Sequence, residues 1–517
     1  MRRTLFVLAI FSCSTSALAV PAFNGMSYTS FNNPADLTTA ASDQSIANMK
    51  TLGVNTVALN VWWFQSDVHQ TTMAPSIGTS MIPTYIADVQ HAIDTIHAQG
   101  MKVFLKPMLD VNDGTWRAYI NPSQPDTWFG YDSSHPFVNS STAPLAGSYG
   151  AFIDTMADLA ETNKDTVKMF SVGCELNNME QYDQNWRNLI DNVRNHYSGP
   201  LTYSANWSTA GTSPKDPINV GGGYNNITWW NKFDAARGDE LGIDAYFPVA
   251  SSSNTTSASL TNGWNTVANT IDSWRSNNNL TDKRLLFTET GYSSYDGTAT
   301  TPYAGAPNMN PPPVDEQEQA DAYSALLSVM SAKSYWDGAM WWNWETSPNT
   351  DSVNSYSPQN KLVQDVLASN YGGTVPALPV SSWTTANASA SFSTGSSWSG
   401  GTPNQNFVAQ FNRPAGASYT VTFSSNPTVD QLRVGSNTVT LQSSNTTTSR
   451  TLSVDDWHTD MARRGMIVGL TSDDVSVVNV VKNGASGGMT LSTRAATLGD
   501  VAGASGTLNV NNSTFNV

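Results

Sequence analysis

Runs of apolar and β-branched residues alternate with amphipathic stretches between residues 24 and 370. The runs have the length and composition of strands buried on both faces, whereas the stretches between them carry apolar residues at a helical period. Eight runs are predicted as strands: 24–29, 54–61, 101–107, 167–173, 200–205, 241–247, 284–288 and 338–343. Helices are predicted at 82–99, 147–162, 186–196, 263–276 and 315–330, and Gly53 and Gly100 stand where a helix would end. Eight strand–helix units are typical of a (β/α)8 TIM barrel, so we predict an α/β domain over residues 22–370.

The pattern changes after residue 370. Residues 371–380 contain Gly and Pro and predict a linker. Residues 381–517 are rich in Ser, Thr, Asn and Gly, lack Glu, and contain short β runs. Two similar segments that start at Gly488 and Gly506 lie 18 residues apart, which suits one rung of a β-solenoid. We therefore predict a C-terminal all-β module, either a β-solenoid or a β-sandwich, that weakly resembles the β repeats of bacterial autotransporter-like proteins.

Residues 1–19 have the pattern of a secretory signal peptide. Arg2 and Arg3 supply the positive end, residues 5–11 are apolar, and Ala17-Leu-Ala fits a cleavage site. We expect a secreted protein, with attachment to the cell surface left open. Cleavage would leave Cys174 as the remaining cysteine, so we expect no intrachain disulfide and a stability that depends on the size of the core.

Composition and charge restrict the classes of binding partner and cofactor that we expect. Charged residues make up 13% of the 517-residue chain, about half the usual fraction, and the formal net charge is −16. That charge disfavours nucleic acid and anionic membranes, and no apolar stretch is long enough to span a bilayer. The six His form no ligand cluster, and no glycine-rich nucleotide motif occurs. We expect a monomer that needs no cofactor and no catalytic metal.

Two Glu residues stand at the ends of predicted strands that face each other across the barrel mouth. Glu175 follows the fourth run, and Glu289 follows the seventh. Active sites of TIM barrels lie at this end of the strands. Hydrolysis of a glycosidic bond needs two carboxyl groups, one protonated to release the leaving oxygen and one ionised to attack the anomeric carbon. The alternative for either residue alone is a salt-bridged carboxylate at a strand end.

The residues at the strand ends resemble the clan A retaining glycosidases, and more closely the family 113 β-mannanases. The resemblance covers about residues 24–345, in order, and none of the C-terminal module. The segments that carry it are Gly25-Met-Ser-Tyr, Val57-Ala-Leu-Asn-Val-Trp-Trp-Phe-Gln, Leu105-Lys-Pro, Trp116-Arg, Gly173-Cys-Glu-Leu, Thr202-Tyr-Ser-Ala-Asn-Trp, Gly242-Ile-Asp-Ala-Tyr-Phe-Pro, Phe287-Thr-Glu-Thr-Gly-Tyr and Trp342-Asn-Trp.

This resemblance implies endo-hydrolysis of β-1,4-mannan with retention, with Glu175 as the acid/base and Glu289 as the nucleophile. One position departs from the wider clan. Many clan A enzymes carry Asn before the acid/base Glu, where it binds the sugar 2-hydroxyl, and this chain has Cys174 there. We interpret Cys174 as a packing residue and take Asn206 as the candidate that binds the 2-hydroxyl.

Polar residues at other strand ends are candidates for supporting roles. Tyr246 could hydrogen-bond Glu289 and keep it ionised, or pack in the core. Arg117 could favour the Glu289 carboxylate by its charge, or order the loop after the third strand. Lys106 and Asp110 end the third strand and form either a clamp for sugar hydroxyls or a salt bridge, and Asp244 is expected among the polar lining.

Tryptophans are candidates for sugar platforms, because sugars pack their C–H faces on aromatic rings. The candidates are Trp63, Trp116, Trp207, Trp342 and Trp344, with core packing as the alternative for each. Trp342 is the strongest of them, since a strand-8 Trp lies beneath the cleaved sugar in the resembling families. Strand alternation places Trp342 and Trp344 on one side and Trp341 on the other.

We therefore predict a secreted retaining endo-β-1,4-mannanase acting on mannan or glucomannan. Two other hypotheses stay open. The same chemistry could act on another neutral β-glycan, such as glucan or xylan, because the fold does not decide the substrate. The chain could also be a non-catalytic glycan-binding surface protein.

Overall fold

In the computed structural model the described residues are 22–139, 141–207, 223–304, 313–347, 354–386, 388–404, 407–454, 465–493, 495–499 and 501–517. The predicted signal peptide, residues 1–19, lies outside them. Among the described residues, no helix combines the length and the apolar character needed to cross a membrane.

Eight parallel strands close into a barrel in sequence order, which confirms the predicted TIM barrel. The strands are β1 Phe23–Thr29, β2 Thr56–Gln65, β3 Lys102–Val111, β4 Val167–Cys174, β5 Leu201–Asn206, β6 Glu240–Asp244, β7 Arg284–Thr290 and β8 Trp336–Glu345. The helices are α1 Ala40–Thr51, α2 Ile82–Ala98, α3 Pro125–Phe129, α4 Tyr149–Thr162, α5 Asp183–His196, α6 Ser257–Asn277, α7 Glu316–Met330 and α8 Val363–Tyr371. Gly53 and Gly100 have φ values of 94° and 72° after α1 and α2, as predicted for residues that end helices.

Apolar residues fill both sides of the barrel wall. On β2, Val57, Leu59 and Val61 belong to the large core between the strands and the helices. The alternate residue Ala58 belongs to a small core inside the barrel, with Phe104, Met169, Leu286 and Met340. Both faces of each strand are therefore buried, which is why the strands read as continuous apolar runs in the sequence.

The C-terminal module is a β-solenoid, one of the two predicted alternatives. Its three sheets have the strand orders β9–β11–β14–β17–β20, β10–β12–β15–β18–β21 and β13–β16–β19–β22, and neighbouring strands within each sheet are parallel. The strands are β9 Val380–Ser382, β10 Ser389–Ser391, β11 Val408–Phe411, β12 Ala417–Phe423, β13 Thr428–Val429, β14 Gln431–Val434, β15 Asn437–Ser443, β16 Arg450–Val454, β17 Met466–Val468, β18 Val475–Val481, β19 Met489–Thr493, β20 Ala496–Leu498, β21 Ser505–Asn511 and β22 Thr514–Asn516.

The predicted 18-residue rung is wrong. The segment that starts at Gly488 leads into β19, which pairs with β16 and β22, whereas Gly506 lies in β21, which pairs with β18. The two similar segments therefore lie in different sheets. Successive rungs stack Val439 on Val478 and Val478 on Leu508, so a rung differs in length from its neighbour because the turns between the strands differ.

Inward side chains of the solenoid should carry its stability. Leu441 is fully buried in this core, whereas Thr438 on the same strand points outward. We expect Leu441→Ala to lower the free energy of unfolding of the solenoid by about 2–5 kcal/mol, because it leaves a cavity. Thr438→Ala, the matched control, should change it by about 0.5 kcal/mol or less. Calorimetry of both variants checks this, and equal effects would contradict the solenoid register.

Candidate active site

The predicted site residues converge at the carboxyl ends of the barrel strands. Lys106 lies on β3, Asp244 ends β6, and Glu289 lies on β7. Glu175 directly follows β4 and has a left-handed backbone conformation with φ 50°, which is uncommon for a residue other than Gly and Asn. Such conformations concentrate at functional sites.

Lys106 joins two carboxylates inside the barrel. Its Nζ lies 2.5 Å from Glu289 Oε1 and 3.2 Å from Asp244 Oδ1, and the side chains of Lys106 and Asp244 are fully buried. Burial by itself lowers the pKa of Lys106, but Asp244 and Glu289 outweigh it and raise the pKa above its usual value. The lysine is therefore a buried cation that stays protonated beside Glu289.

Glu289 receives a donor on each oxygen. Lys106 occupies Oε1, and the Tyr246 hydroxyl donates to Oε2 at 3.0 Å. Burial and the nearby Asp244 raise the pKa of Glu289, while the ion pair with Lys106 opposes that rise. Hydrogen bonds to the ionised form favour it, so both contacts support a carboxylate at this position.

Glu175 has weaker partners. Trp116 Nε1 lies 3.2 Å and Arg117 Nη1 3.4 Å from the same oxygen, Oε2. Arg117 is shared with Asp110, whose Oδ1 accepts from Nε at 2.8 Å. Burial, followed by the charges of Asp244 and Glu289, raises the pKa of Glu175 to about 7. The two carboxyl groups thus have different environments, one without a close lysine and one with it.

Lys106 has partners other than those predicted, and Arg117 has one more than predicted. Lys106 does not pair with Asp110 but with Asp244 and Glu289, because its side chain points into the barrel. Arg117 contacts Glu175 and orders the loop through Asp110, and its charge also opposes the rise in the pKa of Glu289. Asn206 is buried at the end of β5, in register with Asp244 of β6.

Cys174 is buried beside Trp62 and Met108, as expected of a packing residue. Its Sγ also donates to Asp244 Oδ2 at 3.3 Å, and Arg117 Nη1 lies 3.5 Å from the sulfur. Burial raises the pKa of the thiol well above its usual value, so it stays protonated. The thiol therefore completes the hydrogen bonding of Asp244, which also accepts from Thr288 Oγ1 at 2.7 Å.

The structure excludes two of the predicted platforms. Trp63 is stacked on Phe152 in the core outside the barrel wall, with ring centroids 4.6 Å apart. Trp344 is buried in the same core and donates to Ser45 Oγ at 2.8 Å. The prediction that Trp342 and Trp344 lie on the same side of β8 is therefore wrong. The register of β8 with β1 shifts between the pairs Met26–Trp341 and Tyr28–Trp344, which interrupts the alternation of side chains.

Three predicted tryptophans remain partly exposed. Trp116 contacts Glu175, Trp342 is half-buried against the cluster that contains Cys174, and Trp207 stacks on Tyr303 with ring centroids 5.2 Å apart.

Sequence reasoning missed Trp62, which occupies the inward position next to Trp63. The alternation of side chains along the strand could have identified Trp62, since Ala58 and Trp62 lie on the same side of β2. It also missed Phe31, which lies outside any strand.

Two groups of side chains bring potential metal ligands together among the described residues. Atoms of Cys174, Glu175 and Asp244 lie within 4.8 Å of one another, but the cations Lys106 and Arg117 already contact them. Asp296, Asp315 and Glu318 form the other group, in which Glu318 accepts from the backbone N–H groups of Gly297 and Ala299. In the first group these cations compete with a metal ion, and in the second group backbone donors already contact Glu318 and one oxygen of Asp315.

A barrel that presents two buried carboxyl groups with different proton affinities can supply the acid and the nucleophile for cleavage of a glycosidic bond. Fold and site together define the class as a TIM-barrel glycoside hydrolase. The model of Glycoside Hydrolase Family 113 matches residues 26–361, more than half of the chain. The chain belongs to this family, and among curated protein sequences no relative matches it.

Solved structures of three family members share the barrel. A β-mannanase from Alicyclobacillus acidocaldarius, in complex with ManMIm, is 23% identical with a TM-score of 0.53, and the match covers 69% of this chain and 99% of that one. A complex structure of a β-1,4-mannanase is 21% identical with a TM-score of 0.52, covering 68% and 100%. A further β-1,4-mannanase structure is 22% identical with a TM-score of 0.51, covering 68% and 100%. At these identities the likeness shows the fold.

The pH profile of kcat/KM should report the two carboxyl groups. We expect a fall above about pH 7, as Glu175 loses its proton. Tyr246→Phe removes a donor to Glu289, which raises the pKa of Glu289 and moves the lower limb to higher pH. The maximum should fall about 10- to 100-fold, the effect of one hydrogen bond to a charged group.

Tyr323→Phe is the matched control. The Tyr323 hydroxyl is buried, has no hydrogen-bond partner among the described residues, and lies on a ring stacked against Trp341. This variant should leave both limbs unchanged. A lower limb that stays in place in Tyr246→Phe would show that Tyr246 does not act on Glu289.

Proposed function

We propose that the protein is a secreted, retaining endo-β-1,4-mannanase that hydrolyses mannan or glucomannan. The observation that carries the proposal is the unequal environment of Glu175 and Glu289 in a family 113 barrel. The substrate class is supported by the three solved family members, which are β-mannanases. Export is supported by the signal-peptide pattern of residues 1–19.

The first step forms a glycosyl-enzyme. A carboxylate oxygen of Glu289 attacks C1 of the sugar, the bond from C1 to the glycosidic oxygen breaks, and Glu175 gives its proton to that oxygen. Glu175 suits this role because its pKa of about 7 keeps a substantial protonated fraction near neutral pH. The leaving chain departs with a new hydroxyl group.

The second step restores the enzyme. Glu175, now ionised, takes a proton from water, the water oxygen attacks C1, and the bond between C1 and Glu289 breaks. Two inversions at C1 give net retention. Lys106 serves both steps, because it favours the free carboxylate of Glu289 and still has Asp244 as a partner when Glu289 becomes an ester.

The remaining polar and aromatic residues would hold the sugars. Trp342 would lie beneath the cleaved sugar, with Asn206 as the candidate for its 2-hydroxyl. Trp116 and Arg117 contact the acid/base and would orient it toward the leaving oxygen. Trp207 lies next to β5 with Tyr303 and would contact the leaving chain.

The test is release of reducing ends from mannan, glucomannan, xylan and mixed-linkage glucan by the chain from residue 20 onward. We expect release from the mannans, none from Glu289→Gln, and a rate about 10²- to 10⁴-fold lower in Glu175→Gln, which lacks the general acid. Glu161→Gln, a carboxyl replacement on the α4 surface, is the control and should keep full activity.

Proton NMR of the first products separates the two stereochemical courses. Retention predicts the β anomer, and an initial α anomer would overturn the two-step mechanism. Release from xylan or glucan alone would keep the two-carboxylate chemistry and refute the mannanase assignment. Silence on every polysaccharide would favour the glycan-binding alternative.

A further inference from the structure

Phe31 is an exposed aromatic residue at the mouth of the barrel. It follows β1, and half of its surface, 50%, is exposed to solvent. Its backbone has a left-handed conformation with φ 51°, which is sterically unfavourable for an aromatic residue. A half-exposed ring gains little burial to offset that cost.

The hydroxyl of Thr29 holds Phe31 in this conformation. Thr29 Oγ1 accepts from the backbone N–H of Phe31 at 2.9 Å and from Nε1 of Trp62 at 2.8 Å. One buried hydroxyl thus fixes the backbone that carries Phe31 and the indole of Trp62 on the neighbouring strand.

The ring of Phe31 extends the aromatic surface that begins at Trp342. Its centroid lies 6.2 Å from that of Trp342, with an interplanar angle of 76°, and 6.0 Å from that of Trp62. Trp62 and Trp342 pack with Cys174, the residue before Glu175. The three rings therefore form one apolar patch beside the proposed catalytic carboxyl groups.

The order of the strands around the barrel shows on which side of Trp342 the ring of Phe31 lies. From Glu289 on β7, the neighbouring strands are β8 with Trp342 and then β1, which leads to Phe31. Glu175, which would protonate the leaving chain, lies across the mouth directly after β4, next to β5 and Trp207. Phe31 thus lies on the side of Trp342 that is away from the leaving chain.

We infer that Phe31 binds substrate: its ring packs on the apolar face of the neutral pyranose that precedes the cleaved sugar, and it thereby sets a preference for substrates with two sugars on that side. A pyranose offers axial C–H groups on one face, and an aromatic ring without a polar group suits that face. The inference rests on the proposed function, since it needs Trp342 beneath the cleaved sugar.

Aryl β-glycosides with one leaving group and either one or two sugars isolate this contact. The experiment compares kcat/KM of the aryl mannobioside with that of the aryl mannoside in the chain from residue 20 onward. In Phe31→Ala we expect the ratio of the two values to fall about tenfold, with little change for the monosaccharide. A loss of stability alone would lower both values and leave the ratio unchanged.

Two further variants separate the effect of the aromatic ring from the effect of the left-handed backbone conformation. Phe31→Asn accepts the left-handed conformation and removes the ring, so it should show the same fall in the ratio. Phe31→Trp keeps an aromatic face and should restore the ratio. Thermal unfolding of all three variants checks that each one folds.

The outcomes separate this inference from the proposed function. A ratio that is unchanged in Phe31→Ala and Phe31→Asn, with an active wild type, overturns the role of Phe31 and leaves the mannanase intact. If the wild type cleaves another glycan from the polysaccharide panel, the aryl glycosides of that sugar replace the mannosides and the same criterion applies. A wild type inactive on every substrate overturns both.

Discussion

The ammonium group of Lys106 between Asp244 and Glu289 is the interaction on which the site depends. A fully buried cation is tolerated only with close partners, and loss of one partner from such a cluster typically costs about 3–5 kcal/mol. The three residues come from β3, β6 and β7, which a closed barrel brings together in its interior. The charge state of Glu289 therefore depends on closure of the barrel, because Lys106 reaches Glu289 and Asp244 only when β3, β6 and β7 are in register.

The same cluster distinguishes the two carboxyl groups. Glu289 has the lysine at 2.5 Å, whereas the side-chain donors to Glu175 among the described residues are an indole N–H and an arginine that Asp110 shares. Cys174 takes part through Asp244, whose second oxygen accepts from the thiol. The residue that replaces the clan's usual Asn thus belongs to the hydrogen-bond network around the nucleophile candidate, in addition to packing in the core.

Sequence reasoning predicted the barrel well because its strands are buried on both faces and so stand out as apolar runs. It also placed Glu175 and Glu289 correctly at strand ends, since the topology of the fold brings those ends together. It failed for Trp63 and Trp344, whose role depends on whether the side chain faces the barrel interior or the helices. Adjacent tryptophans on β2 and β8 make the inward and outward positions indistinguishable in the sequence, and the register of β8 with β1 shifts. The solenoid rung was missed because the turns vary in length, and Phe31 because a loop conformation leaves no periodic signal.

The proposed nucleophile is the carboxylate that pairs with Lys106. A 2-deoxy-2-fluoro-β-mannosyl fluoride slows the second step more than the first and so accumulates the glycosyl-enzyme, which peptide mass spectrometry can locate. We expect a single label on Glu289 at a stoichiometry of one sugar per chain. A label on Glu175, or steady turnover of the reagent with inversion and no labelled peptide, would contradict it.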